Sequence, residues 1–142
     1  MDLLINPPTL ENASEPTVKK YWEEVERNSN NLKEKAELIY KKLNSMKNVK
    51  CNEIEGAMYA FPLIELPEKI IKKARELKME PDYYYCLSLL EYTGLITIPG
   101  SGFGQKEGTY HVRLTNLISP KEEMIKMLDK IEQFNKFFFN QQ

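Results

Sequence analysis

Two cysteines and one histidine are a small stock for metal chemistry, and they lie scattered along the chain as Cys51, Cys86 and His111. A zinc centre draws on about four sulfur or imidazole ligands, so none is expected, and both thiols read as buried structural cysteines. Neither sign of charge dominates. Twenty basic residues against twenty-one acidic leave a formal charge of -1, too even a balance for the field that gathers phosphates or anionic lipid. Nucleic acid is therefore not an expected partner. Apolar runs long enough to span a bilayer are missing, as is a secretory signal, which predicts no membrane partner and a reducing, soluble compartment such as the cytoplasm.

What is present is an ordinary globular composition. Hydrophobic residues make up 42% and charged residues 29% of 142 residues, enough chain to bury one core and so to form one domain. The opening "LLINPPTLENASEP" is rich in proline and polar residues and reads as a connector over residues 1–14, with the domain proper at 15–142. Ser14 suits an N-cap and Pro16 a first helical turn. The apolar spacing Val18, Tyr21, Trp22, Val25, then Leu32, Ala36, Ile39, Leu43 predicts one long amphipathic helix, or two divided at "NSNN".

Further along, "VKCNEI" and "AMYAFPLI" read as two short strands, Pro67 opens a helix, and a second helix over about 82–92 stops at Gly94. "LITIP" and "TYHVRLTNL" read as strands. Ser119, Pro120 and Glu122 have the spacing of a capping box ahead of a last helix whose apolar face is Met124, Met127, Leu128, Ile131, Phe134 and Phe138. The order suits an α+β layer: a small, mostly antiparallel sheet covered by helices on one face.

In the strand 109–117 the side chains alternate. Tyr110, Val112, Leu114 and Asn116 share the face expected in the core, while Thr109, His111, Arg113 and Thr115 share the other. An arginine there either points to water or meets an anion, and the pattern alone leaves both open. The preceding "GSGFG", Gly100, Ser101, Gly102, Phe103 and Gly104, fits no phosphate-binding fingerprint. It is either a turn that uses glycine's positive φ or a loop that lets a ligand come close to the backbone.

"EGAMYAFP" at 55–62, "PDYYYCLSLLEYTGL" at 81–95 and, above all, "IPGSGFGQKEGTYHVRLTNL" at 98–117 resemble the C-terminal part of the alanine aminotransferase family of fold-type I pyridoxal phosphate enzymes. The likeness spans nearly the whole chain. It implies a small domain that closes over an active site built mainly by a larger α/β domain absent from this sequence. By position, Arg113 matches the arginine that grips the substrate α-carboxylate, where a planar guanidinium offers two parallel donors.

The resemblance further implies a parent enzyme, a homodimer in the cytoplasm or the mitochondrion, that exchanges an amino group between L-alanine and 2-oxoglutarate to give pyruvate and L-glutamate. Its cofactor is pyridoxal 5'-phosphate. The cofactor's lysine and phosphate-binding residues belong to the missing part, so no lysine here is assigned and the isolated chain is expected to be inactive. The glycine loop gains a role as wall and hinge beside the substrate, and His111 and Tyr59 come near the site or simply pack. Two other readings stay open: a non-catalytic α+β binding module for acidic peptides, and a related aminotransferase with other amino acid specificity.

Overall fold

The computed structural model describes residues 5–56 and 58–140. The chain divides into two units, Met1–Glu34 and Lys35–Gln142. In the first, a tight turn closes with the Ala13 N–H donating to the Thr9 carbonyl at 2.9 Å. The Ser14 carbonyl then accepts the N–H groups of Thr17 and Val18 at 3.0 Å each, which opens helix α1 (Glu15–Ser45). Ser14 thus stands at the expected cap position. The polar run at 28–31 leaves the assigned helix unbroken over 31 residues, because asparagine and serine cost a helix only fractions of a kcal/mol each.

In the second unit the order is β1 (Val49–Lys50), β2 (Tyr59–Ala60), β3 (Leu63–Ile64), α2 (Glu68–Glu76), α3 (Pro81–Thr93), β4 (Ile98–Pro99), a 3-10 turn (Gly100–Phe103), β5 (Val112–Thr115) and α4 (Lys121–Asn140). Helices fall where the pattern placed them. Gly94, at φ 76°, ends α3 in the left-handed conformation with its N–H on the Leu90 carbonyl. α4 begins at Lys121, with Pro120 supplying the carbonyl that the Glu123 N–H reaches at 3.1 Å. Ser119 therefore sits one place outside the cap position expected for it.

The run "AMYAFPLI" forms two strands rather than one. β2 pairs antiparallel with β5, Tyr59 opposite Thr115 and Ala60 opposite Leu114, and the same register returns at Leu63 opposite His111. Between them the Val112 N–H donates to the Pro62 carbonyl at 3.1 Å, but proline has no N–H to return the bond. The ladder is interrupted there, and β3 goes on to pair with β1. The result is two small antiparallel sheets, ordered β1-β3 and β2-β5-β4.

β4 is an edge strand. Ile98 lies opposite Arg113, and the Gly100 N–H donates to the His111 carbonyl at 2.7 Å. Backbone groups alternate along a strand, so the nitrogen of Pro99, between these two residues, faces away from β5.

The core gathers Ile39 and Leu43 of α1, Val49, Ile64, Val112 and Leu114 of the strands, Tyr85 and Leu89 of α3, and Met124, Leu128, Ile131 and Phe134 of α4. Cys51 and Cys86 are free and buried, as expected of structural thiols. Burial raises both, Cys86 to about 11. The Tyr85 hydroxyl donates to Asn135 Oδ1 at 2.6 Å inside this core, so two buried polar groups satisfy each other. At the surface of the same unit Lys42 of α1 reaches Glu132 and Asp129 of α4 at 2.6 and 3.0 Å, and Glu132 also meets Lys136 at 2.7 Å.

Candidate functional site

Alternation along β5 separates two environments. Val112, Leu114 and Asn116 are 2%, 6% and 1% exposed, while His111, Arg113 and Thr115 are half-buried on the opposite side. The register adds neighbours to that second face: Tyr59 lies opposite Thr115, and Ile98 opposite Arg113. Phe61 and Phe103 join them through ring contacts. Tyr59, Phe61, Ile98 and Phe103 are all exposed, so the side of the sheet turned from the core is apolar at its rim and cationic at its centre.

The guanidinium of Arg113 lies over the Tyr59 ring at 4.6 Å and over the Phe103 ring at 4.8 Å. Cation–π attraction holds it there. Among the described residues, no carboxylate comes within 4.0 Å of it. Such a cation, shaped to meet two parallel acceptors and set between two aromatic rings, is equipped to take a carboxylate.

The glycine loop is fastened from behind. Gly100 to Phe103 form the 3-10 turn, and Gly104 closes it at φ 69°. Asp82, in the first turn of α3 and 1% exposed, accepts three hydrogen bonds: from the Ser101 N–H at 2.6 Å, the Gln105 amide at 2.9 Å and the Tyr83 N–H at 3.0 Å. The Gln105 Oε1 in turn accepts the His111 N–H at 2.8 Å and lies 3.1 Å from His111 Nδ1. With Gln105 donating to a carboxylate and accepting from a backbone N–H, its orientation is fixed. The imidazole must then carry its proton on Nδ1. Burial holds His111 below the ordinary imidazole value, the Asp82 charge opposing.

His111 also stacks on Phe61, centroids 4.9 Å apart and planes 1° apart, and Phe61 meets Phe103 edge to face at 6.0 Å. Gly100 is demanded by this crowding: a Cβ there would fall 2.3 Å from Gln105 Oε1 and 2.9 Å from His111 Cβ. At Gly102 a Cβ would meet nothing within 4 Å.

Arg113, Phe103, Tyr59 and His111, each singled out from sequence, are brought to one face, with Gly100, Ser101, Gly102 and Gly104 forming the turn beside it. Asp82, Gln105 and Phe61 were missed. Asp82 carries the only signal that could have found it, an acidic residue beside a helix-opening proline, and that signal is common to helix starts.

Pyridoxal phosphate, which the resemblance implies, needs an amine for a Schiff base, a carboxylate for the ring nitrogen and donors for the phosphate. The described residues do not fit it. The buried carboxylate of Asp82 is already taken by three protein donors. Lys42 and Lys136 are held in ion pairs. Lys35, though buried, lies on α1 among core residues.

No family model matches the chain. It is 40% identical over 141 residues to alanine aminotransferase 2 of Xenopus laevis, 42% identical over 138 residues to alanine aminotransferase 1 of Rattus norvegicus, and 42% identical over 141 residues to glutamate–glyoxylate aminotransferase 2 of Arabidopsis thaliana. These matches cover 99%, 97% and 99% of the chain but 25%, 27% and 28% of the relatives. The chain thus spans about a quarter of the length of the curated relatives it matches. Among solved structures, an alanine aminotransferase from Pyrococcus furiosus superposes with a TM-score of 0.66 at 29% identity, over 79% of this chain and 25% of that one. An aromatic aminotransferase from Pyrococcus horikoshii shares the fold, with a TM-score of 0.65 at 24% identity, over 84% of this chain and 28% of that one. Over the quarter of its relatives' length that it matches, the chain is similar to alanine aminotransferases, and it shares the fold of fold-type I aminotransferases.

Proposed function

We propose that this chain is the C-terminal, substrate-closing part of a pyridoxal phosphate-dependent aminotransferase that exchanges the amino group between L-alanine and 2-oxoglutarate. The observation that carries the reading is the Arg113 guanidinium, held by two rings on the side of the sheet turned from the core, with no carboxylate among the described residues within 4.0 Å of it. Arg113 binds the α-carboxylate common to amino and keto acid substrates. The glycine turn forms a wall beside it, and closure excludes water from the reacting atoms. The cofactor, its lysine and the remaining substrate contacts lie in a larger partner domain of the same cytoplasmic or mitochondrial, homodimeric enzyme, and the boundary between connector and closing domain falls near residue 14.

The likeness to a glutamate–glyoxylate aminotransferase at 42% identity supports a second reading, the same transfer with a different keto acid. A chimaera tests both. This chain, grafted in place of the matched quarter of the rat alanine aminotransferase 1, is expected to restore amino transfer from alanine to 2-oxoglutarate and not to glyoxylate. A soluble, cofactor-loaded chimaera with neither activity would overturn the proposal. The 142-residue chain mixed with pyridoxal phosphate should give no lysine aldimine absorbance above that of a protein lacking a cofactor site.

A further inference from the structure

The elements around Arg113 are not independently placed. Asp82 is buried, lies on a helix rather than on the sheet, and forms no ion pair with Arg113. Yet its Oδ2 holds both ends of the glycine turn, through the Ser101 N–H and through the Gln105 amide. Phe103 is two residues beyond Ser101. From Gln105 a second path runs through His111 and Phe61 to Phe103. Both paths end on the ring that supports the guanidinium.

Resting on the reading of Arg113 as the carboxylate clamp, we propose that Asp82 is the positioning residue of that clamp, setting Phe103 and the His111 tautomer through Ser101 and Gln105 without ever meeting the substrate. A carboxylate is required because it accepts on both oxygens. Three donors converge on it, and an amide in its place would turn an N–H toward one of them. With the NH2 group in the place of Oδ2, rotation of the Gln105 amide relieves the clash between donors, points its own NH2 group at the His111 N–H and forces the imidazole proton from Nδ1 to Nε2. A change on α3 is thus written into a ring on β5.

The chain's single histidine makes this readable by nitrogen NMR of the 142-residue chain. In the unaltered chain Nδ1 is protonated, the Ser101 amide is protected from exchange, and the Arg113 Nε–H carries a ring-current shift from Tyr59 and Phe103. Asp82→Asn is expected to move the imidazole proton to Nε2, expose the Ser101 amide and reduce the Arg113 shift, while the methyl signals of Val112 and Leu114 report an intact core. If Asp82→Asn does not fold, Gln105→Ala, which leaves Asp82 its two backbone donors, is expected to unlock the His111 tautomer and reduce the Arg113 shift alone.

Unchanged His111 and Arg113 signals in a folded variant would overturn the proposal. In the full-length enzyme, Asp82→Asn should raise KM for both amino and keto acid about tenfold, the size of one lost cation–π contact, with little change in kcat. The two readings fail separately. If Arg113 is not the clamp, Arg113→Lys leaves kinetics unchanged while the NMR response to Asp82→Asn persists; if only the positioning role is wrong, Arg113→Lys weakens both substrates and the NMR response is absent.

Discussion

Tyr85 of α3 and Asn135 of α4, fifty residues apart in sequence, share a 2.6 Å hydrogen bond inside the apolar core. Tyr85 is 1% exposed and Asn135 4%, so neither finds water when the other is removed. Tyr85→Phe should lower the unfolding free energy by about 1–3 kcal/mol, the cost of a buried polar group left without its partner, read as a shift in denaturant midpoint at constant slope.

The same tyrosine gives the protein an alkaline limit. Burial pushes its hydroxyl well above the ordinary value, with Asn135 opposing. A group raised in the folded state contributes stability that is complete below its unfolded value, about 10, and is lost as pH rises beyond it. Denaturant melts above pH 10 should show falling stability, and Tyr85→Phe should abolish that part of the fall.

At the acid end the sign reverses. Lys136 first, then Lys42, hold Glu132 down to about 2. A depressed carboxyl stabilises the fold above its unfolded value of about 4.3 and loses that contribution as pH drops toward 2. Glu132→Gln is expected to be less stable than the parent at neutral pH and equal to it near pH 2, with the neutral-pH gap narrowing in salt. A gap that ignores both pH and salt would assign Glu132 a packing role only.

Gly100 and Gly102 are two residues apart and should respond differently. An alanine Cβ at 100 would strike Gln105 and His111, so Gly100→Ala should cost about 1–3 kcal/mol, as overpacking does. Gly102→Ala meets open space and should change the stability of the chain by less than about 0.5 kcal/mol. Loss of aminotransferase activity from Gly102→Ala in the longer enzyme, without loss of stability, would show that the space belongs to something outside this chain.

Arg113→Lys keeps the charge and removes the fork. In the longer enzyme, substrate binding should weaken by about 1.5–3 kcal/mol for each lost charged hydrogen bond, in KM for alanine and 2-oxoglutarate together. A change confined to one of the two would mean that Arg113 reads a side chain rather than the shared carboxylate.

What could be read from the sequence was local in origin. Period-two alternation puts Val112 and Leu114 on one face and His111 and Arg113 on the other whatever the rest of the fold does, and the structure keeps that division. Gly94 ends α3 as expected, since only a residue without a side chain adopts that conformation freely. The hub was not legible. Asp82 reaches partners 19 and 23 residues away, and nothing in the spacing of an aspartate, a serine and a glutamine predicts that three turns of chain will meet. Pro62 is legible in principle, since a missing donor within "AFPL" marks a broken ladder, but the continuous hydrophobicity of the run reads as one strand.

The margin of β4 has a consequence for solubility. A foreign strand laid along it would find, at Pro99, a pyrrolidine ring where a donor is required. Fibril growth by adding rung upon rung is obstructed there by the same residue that leads the chain into its glycine turn.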